Sequence, residues 1–370
     1  MTEGLWETVR SWATHHADTY LYVPLAAPTD EHDERSAPDE HPLQPYESYF
    51  RVWLCEMFLA NSRHWFRDWY PAVQASVRLK FGDQDDVTFS TVARAPQEGL
   101  ARGVHINYPI TDLLPFNGGM VEVEVALLAL QGTDFLDTTI GILEGFSGLV
   151  TAPLGQALGI AEKVADGMRE LLGATDGQVH LGFHQAFSTS GGGGQNVLAG
   201  GYLAVILATP DDLDAARLTV HDDRLHYQPQ PEAPAEPLHG FDYMLLRIET
   251  RRERDDWRLQ PIEEPLNKAI EALIKGDAKQ ATSFKKLAMI AALQSPDLAV
   301  HDRRRVAKAI KDELAQIGSI DGSDGDTSVL APLPVHPPRR DLNAIMAAHA
   351  LPTTRRGTLR RMPLAELIGG

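Results

Sequence analysis

The chain has 370 residues, 43% apolar and 23% charged, ordinary proportions for a globular protein. They exclude a chain disordered throughout, a collagen-like repeat and a polytopic membrane protein. Acidic residues outnumber basic ones 51 to 34, a net charge of −17, so the surface as a whole repels phosphate and bulk binding to nucleic acid is disfavoured.

The first 12 residues scatter Glu3, Glu7 and Arg10 among isolated apolar positions, so no apolar signal core is expected there. Residues 2–17 read as a short helix with Leu5, Val9 and Trp12 on one side. Residues 20–24 read as extended, and the polar, proline-bounded run 28–42 reads as a loop. Over 47–69, apolar residues at Phe50, Trp53, Leu54, Met57, Phe58, Trp65 and Phe66 approach the i, i+3, i+4, i+7 series. That spacing predicts a core helix ended by Pro71, with Cys55 as a small buried hydrophobe.

At Val73 the period changes to two. Val73, Ala75, Val77, Leu79 and Phe81 alternate with polar residues, which predicts a half-buried strand over 73–81. Further strands are expected at 87–93, 104–108 and 120–130, and two helical segments at 134–150 and 153–172. Sheet then resumes at 178–187, 201–208, 217–220, 224–227 and 241–249, with Asp222-Asp223 as a tight hairpin turn. Helices are expected at 264–275, 277–293 and 300–317, separated by Gly276 and by the capping signal Ser295-Pro296-Asp297.

These elements make an α+β protein: a predominantly antiparallel sheet or sandwich with an inserted helical pair, a helical C-terminal portion and a mobile tail. The boundaries expected are 1–260 for the β-rich domain (insertion at about 134–172), 261–317 for the helical portion packed on it, and 318–370 for a flexible basic tail. Strands and helices do not alternate regularly, which argues against a doubly wound nucleotide fold.

No motif supplies an enzyme signature. Gly191–Gly194 precede Gln195 and Asn196 rather than the Lys and Ser or Thr of a phosphate loop, so they read as a hairpin connection. His180 and His184 on one strand stand about 13 Å apart, too far to chelate one ion. Gly145-Phe146-Ser147-Gly148 is not a nucleophile elbow, and Cys55 with His64 makes no dyad. No catalytic residue, cofactor or metal ligand is assigned.

Arg251-Arg252-Glu253-Arg254-Asp255-Asp256-Trp257 reads as an ion network holding sheet to helices, or as a partner seat. His301-Asp302-Arg303-Arg304-Arg305 reads as a solvated helix start. Residues 145–161 carry no charge and include Gly155-x-x-x-Gly159, the length and pattern of a marginal membrane span, although a buried helix pair is the plainer reading.

The tail stands out. Residues 332–370 hold Arg339, Arg340, Arg355, Arg356, Arg360 and Arg361 against Asp341 and Glu366, on an acidic body. Leu342, Ile345 and Met346 fall at helical spacing, as a short docking helix would have them. Arg355, Arg356, Arg360 and Arg361 are paired arginines fit for an acidic pocket or a processing protease.

The sequence therefore points to a non-enzymatic bacterial adaptor or regulatory partner in a multi-protein complex, its basic tail the recognition or processing segment. Arginine outnumbers lysine 25 to 9, the bias of a high-GC genome, and one cysteine fits a reducing cytoplasm. The expected partner is a protein, with a protease among the candidates; nucleic acid and membrane are disfavoured. The alternatives are a hydrolase whose site is assembled from distant residues and a membrane-active effector using 145–161.

Overall fold

The structure, a computed structural model, describes residues 3–16, 19–25, 43–60, 63–64, 67–80, 87–94, 104–131, 178–188 and 197–320. The expected helical pair at 134–172, the Gly191–Gly194 loop and residues 321–370 lie outside them.

The central sheet has the order β1-β10-β14-β2-β6, with β7 also on β2. Its strands are β1 (Leu21–Leu25), β2 (Ser48–Phe58), β6 (Val104–Pro109), β7 (Leu114–Phe116), β10 (Gly201–Ile206) and β14 (Tyr243–Arg251). A second sheet runs β3-β4-β8-β9 with β5 on β4. It is built from β3 (Arg63–His64), β4 (Arg67–Lys80), β5 (Val87–Arg94), β8 (Met120–Gln131) and β9 (Gln178–Ser188). The third is the small sheet β11 (Leu218–His221), β12 (Arg224–Tyr227) and β13 (Glu236–Pro237). Every pairing between these strands is antiparallel, the α+β architecture that the turn signals imply.

One apolar core joins the first two sheets. Phe50, Val52, Leu54, Val205, Leu246 and Ile248 from the central sheet meet Val73, Val77, Val123, Val125, Leu181 and Phe183 from the second. A separate core lies on the other side of the central sheet, where Trp53, Cys55, Ala204, Ile206 and Leu245 meet Leu218, Val220 and Leu225 of the small sheet. The central sheet is thus buried on both faces.

That double burial corrects the helix expected over 47–69. Residues 48–58 form a strand in which all but Arg51 are buried. A strand covered on both sides loses the period of two and reads as an unbroken apolar run, whose spacing here imitates a helix. Pro71, expected to end that helix, lies inside β4 opposite Ala129. It sits one residue beyond the β5 ladder, which ends at Ala72 opposite Arg94, a position where a missing N–H is tolerated. Cys55 is buried as expected. It occupies a bulge, because both neighbouring strands pair with Leu54 and then Glu56. A bulge turns two successive side chains to one side, which brings the Glu56 carboxylate to the small sheet, where it accepts from Leu225 N–H at 2.9 Å.

The Asp222-Asp223 turn forms as expected, with φ of 52° and 59°. Positive φ at both central residues marks a type I′ hairpin, whose twist matches the flanking strands. Helix α1 (Glu3–His15) packs on β9 across Gly182. A Cβ at Gly182 would stand 3.1 Å from Trp12 and 3.2 Å from the Val9 carbonyl, so the bare backbone permits the close approach.

Three helices follow: α2 (Gln260–Ile274), α3 (Ala278–Gln294) and α4 (Val300–Ile320), the last three residues longer than expected. They enclose their own core around Trp257, Ile262, Leu266, Ala288, Ala292, Val306 and Ile310.

Candidate functional site

The alternation in β8 places Glu122 and Glu124 on the face of the second sheet turned away from the main core. His184 of β9 is directly opposite Glu124, and Arg78 of β4 is opposite Glu122. His184 Nε2 stands 2.7 Å from Glu122 and 3.9 Å from Glu124. Arg10, carried over the sheet by α1, donates through Nε to Glu124 at 2.6 Å. Arg78 and Lys80 approach Glu122 at 3.4 and 3.8 Å. The hydrogen bond with His184 holds the Glu122 carboxyl down at about 2, with Arg78 and Lys80 adding to it, whereas burial pushes Glu124 up.

One ligand atom each from Glu122, Glu124 and His184 lies within 4.8 Å of the others, a grouping that could hold a metal ion. The charges argue otherwise. Arg10, Arg78 and Lys80 already outnumber the two carboxylates, so a dication would enter a site with surplus positive charge. As it stands, the cluster clamps α1 to the sheet.

His180 does not join it. A register shift in β9 opposite Leu127 and Leu128 turns His180 toward Asp242, 3.3 Å away in the central-sheet layer. The two histidines therefore serve different partners, Asp242 and Glu122.

A second charged system crosses the central sheet. Asp223, at the tip of the small sheet's hairpin, accepts from Tyr202 at 2.7 Å, Arg247 at 2.8 Å and Asn107 at 3.0 Å. The Arg247 and Arg51 guanidinium groups stand over Trp53 at 5.1 and 5.3 Å. Trp53 donates to Glu249 at 2.7 Å, and Arg51 approaches Asp112 at 3.4 Å. Burial pushes Glu249 up, but Arg51 and Arg251 outweigh it and leave the carboxyl below its ordinary value. Burial and the nearby Asp223 push the Cys55 thiol up, so it is held protonated and unreactive.

Arg254 carries the chain of charges into the helices. Its side chain donates to Asp112 at 2.8 Å and to the Leu113 carbonyl at 2.6 Å, and its backbone N–H donates to Asp302 at 3.0 Å. Asp302, 0% exposed, also accepts from Tyr49 at 2.8 Å and from Arg305 Nε. The segment 251–257 is therefore an ion network between sheet and helices, one of its two expected readings. The start of α4 is not the solvated helix end expected: its aspartate is the buried hub of that network.

The described surface departs from this pattern on α3. Leu287, Ile290 and Leu293 are 50%, 49% and 44% exposed, while the residues α3 buries include Ala281, Ala288 and Ala292. The expected recognition residues Leu342, Ile345, Met346, Arg355, Arg356, Arg360 and Arg361 lie outside the described residues, as does 145–161. No helix among the described residues is long and apolar enough to cross a membrane. Set against known proteins, the chain matches no family model, no curated protein and no solved structure.

Proposed function

We propose that this protein is a non-enzymatic adaptor or regulatory partner of a bacterial multi-protein complex, acting in the cytoplasm and using its basic C-terminal segment as the recognition or processing element. The observation that carries this reading is the buried Asp302 hub. It fixes the start of α4 to Tyr49 of the central sheet and to Arg254. The fifty residues after Ile320 thus begin from a helix anchored to the body. Supporting it, the charged groups described above are engaged with one another in clamps between elements, and the one thiol is buried and held protonated.

The test compares the full chain, a chain ending at Ile320, and a chain with Arg355, Arg356, Arg360 and Arg361 all changed to Ala. Each is used to capture partners from the native host. The body should melt at the same temperature in all three, and the partners held by the full chain should be lost from the other two. Equal capture by all three would overturn the reading.

A further inference from the structure

We propose that the outward face of α3 is a docking surface for an acidic amphipathic helix of another protein. An ordinary packed helix turns its large apolar residues inward and its polar residues outward. Here the buried positions are the alanines at 281, 288 and 292, with Phe284 and Met289 half-buried against the helical core, and Leu287, Ile290 and Leu293 face out as a surplus of large apolar residues. The three are spaced i, i+3, i+6, a stripe about 9 Å long.

Charge says what covers the stripe. Lys279, Lys286 and Leu293 are seven residues apart and so lie along one line of the helix, with both lysines exposed. The segment Ala278–Gln294 contains three lysines and no aspartate or glutamate, in a chain of net charge −17. Seven of the chain's nine lysines fall within 260–320. An apolar stripe continued by lysines complements a helix with apolar residues at i, i+3, i+4 and i+7 flanked by Asp and Glu.

The other occupants fit less well. The chain's own 332–370 segment carries six arginines against two acids, the same sign as the lysines. A second copy docked through the same face about a two-fold axis would set lysine stripe against lysine stripe. An anionic bilayer would accept the lysines but would meet the negative charge of the rest of the molecule.

None of these residues belongs to the segment after Ile320, so the proposal stands or falls apart from the function proposed above. The probe is a fluorescein-labelled 18-residue peptide with Leu at the four apolar positions and Glu at the flanking ones, and a Lys-for-Glu twin as control. Both are titrated against the full chain by anisotropy. The acidic peptide should bind and its twin should not. Leu287→Ser with Ile290→Ser should weaken binding by about tenfold or more, as truncation at an interface centre does. Lys279→Glu with Lys286→Glu should reverse the preference between the twins, and all variants should keep the parent melting temperature.

Four results would overturn the proposal. One is equal binding of both peptides, and another is binding unchanged by either pair of substitutions. The third is dimerisation of the full chain that Ile290→Ser abolishes. The fourth is binding to phosphatidylserine vesicles, lost in the Lys279→Glu, Lys286→Glu variant, without binding to the acidic peptide.

Discussion

Asp302→Ala is the sharpest test of how the helices are held to the sheets. The carboxylate is fully buried and accepts from Tyr49, the Arg254 backbone and Arg305. Removing it strands the Tyr49 hydroxyl and the Arg254 N–H in the interior and takes the buried carboxylate away from the half-buried Arg305. Each buried donor left unsatisfied costs about 1–3 kcal/mol, so the loss should be about 2–5 kcal/mol, a large part of a typical total stability of about 5–15 kcal/mol. Asp302→Asn keeps the shape and one acceptor but forfeits the charge, and should cost less, about 1.5–3 kcal/mol. In urea the Ala variant should lower the midpoint by about 1 M or more. Hydrogen exchange should show protection lost first in α2, α3 and α4, before the central sheet opens. An Ala variant with the parent midpoint and unchanged protection over 260–320 would refute the hub.

Trp53→Ala should cost about 3–5 kcal/mol, measured by urea denaturation, because Trp53 is 3% exposed in the core under the small sheet and carries two guanidinium groups. Gly182→Val should push α1 off β9, costing about 1–3 kcal/mol and raising hydrogen exchange over residues 3–15 while leaving the central sheet protected. Glu122, held at about 2 in the folded chain against an ordinary 4.5, stabilises the fold fully above about pH 4.5; that contribution disappears as pH falls toward 2. Glu122→Gln should therefore flatten the acid limb of a stability–pH curve. Burial raises Glu56, so its ionisation lowers stability as pH rises past 4.5. Glu56→Gln, which keeps an acceptor for Leu225, should remove that decline, and the two curves should cross rather than run parallel.

Signals that act over a few residues were legible. The alternation of Val121, Val123 and Val125 with Glu122 and Glu124 marked β8, Asp222-Asp223 marked the hairpin, and Gly276 with Ser295-Pro296-Asp297 divided the three C-terminal helices. β2 was misread because burial on both faces erases the alternation that identifies a strand. The charged clusters were illegible for another reason. Glu122 and His184 are 62 residues apart, and Tyr49 and Asp302 are 253 apart. Nothing local distinguishes a charge that will find such a partner from one that stays in water. On α3 the helix-period apolar residues were visible, but not that Leu287, Ile290 and Leu293 would face out.

The central sheet also sets an order on synthesis. β2 ends at Phe58, and its long ladder partner β14 spans Tyr243–Arg251, so the two cannot pair until nearly two hundred further residues have been made. Until then the aromatic-rich strand 48–58 can pair only with β6 and β7 on one side, and its other edge stays open on the ribosome-bound chain, prone to associate with other strands. Fragments stopping before residue 243 should accordingly aggregate rather than yield a smaller folded unit. Closing so long a loop before that pairing can form should make folding of the central sheet slow.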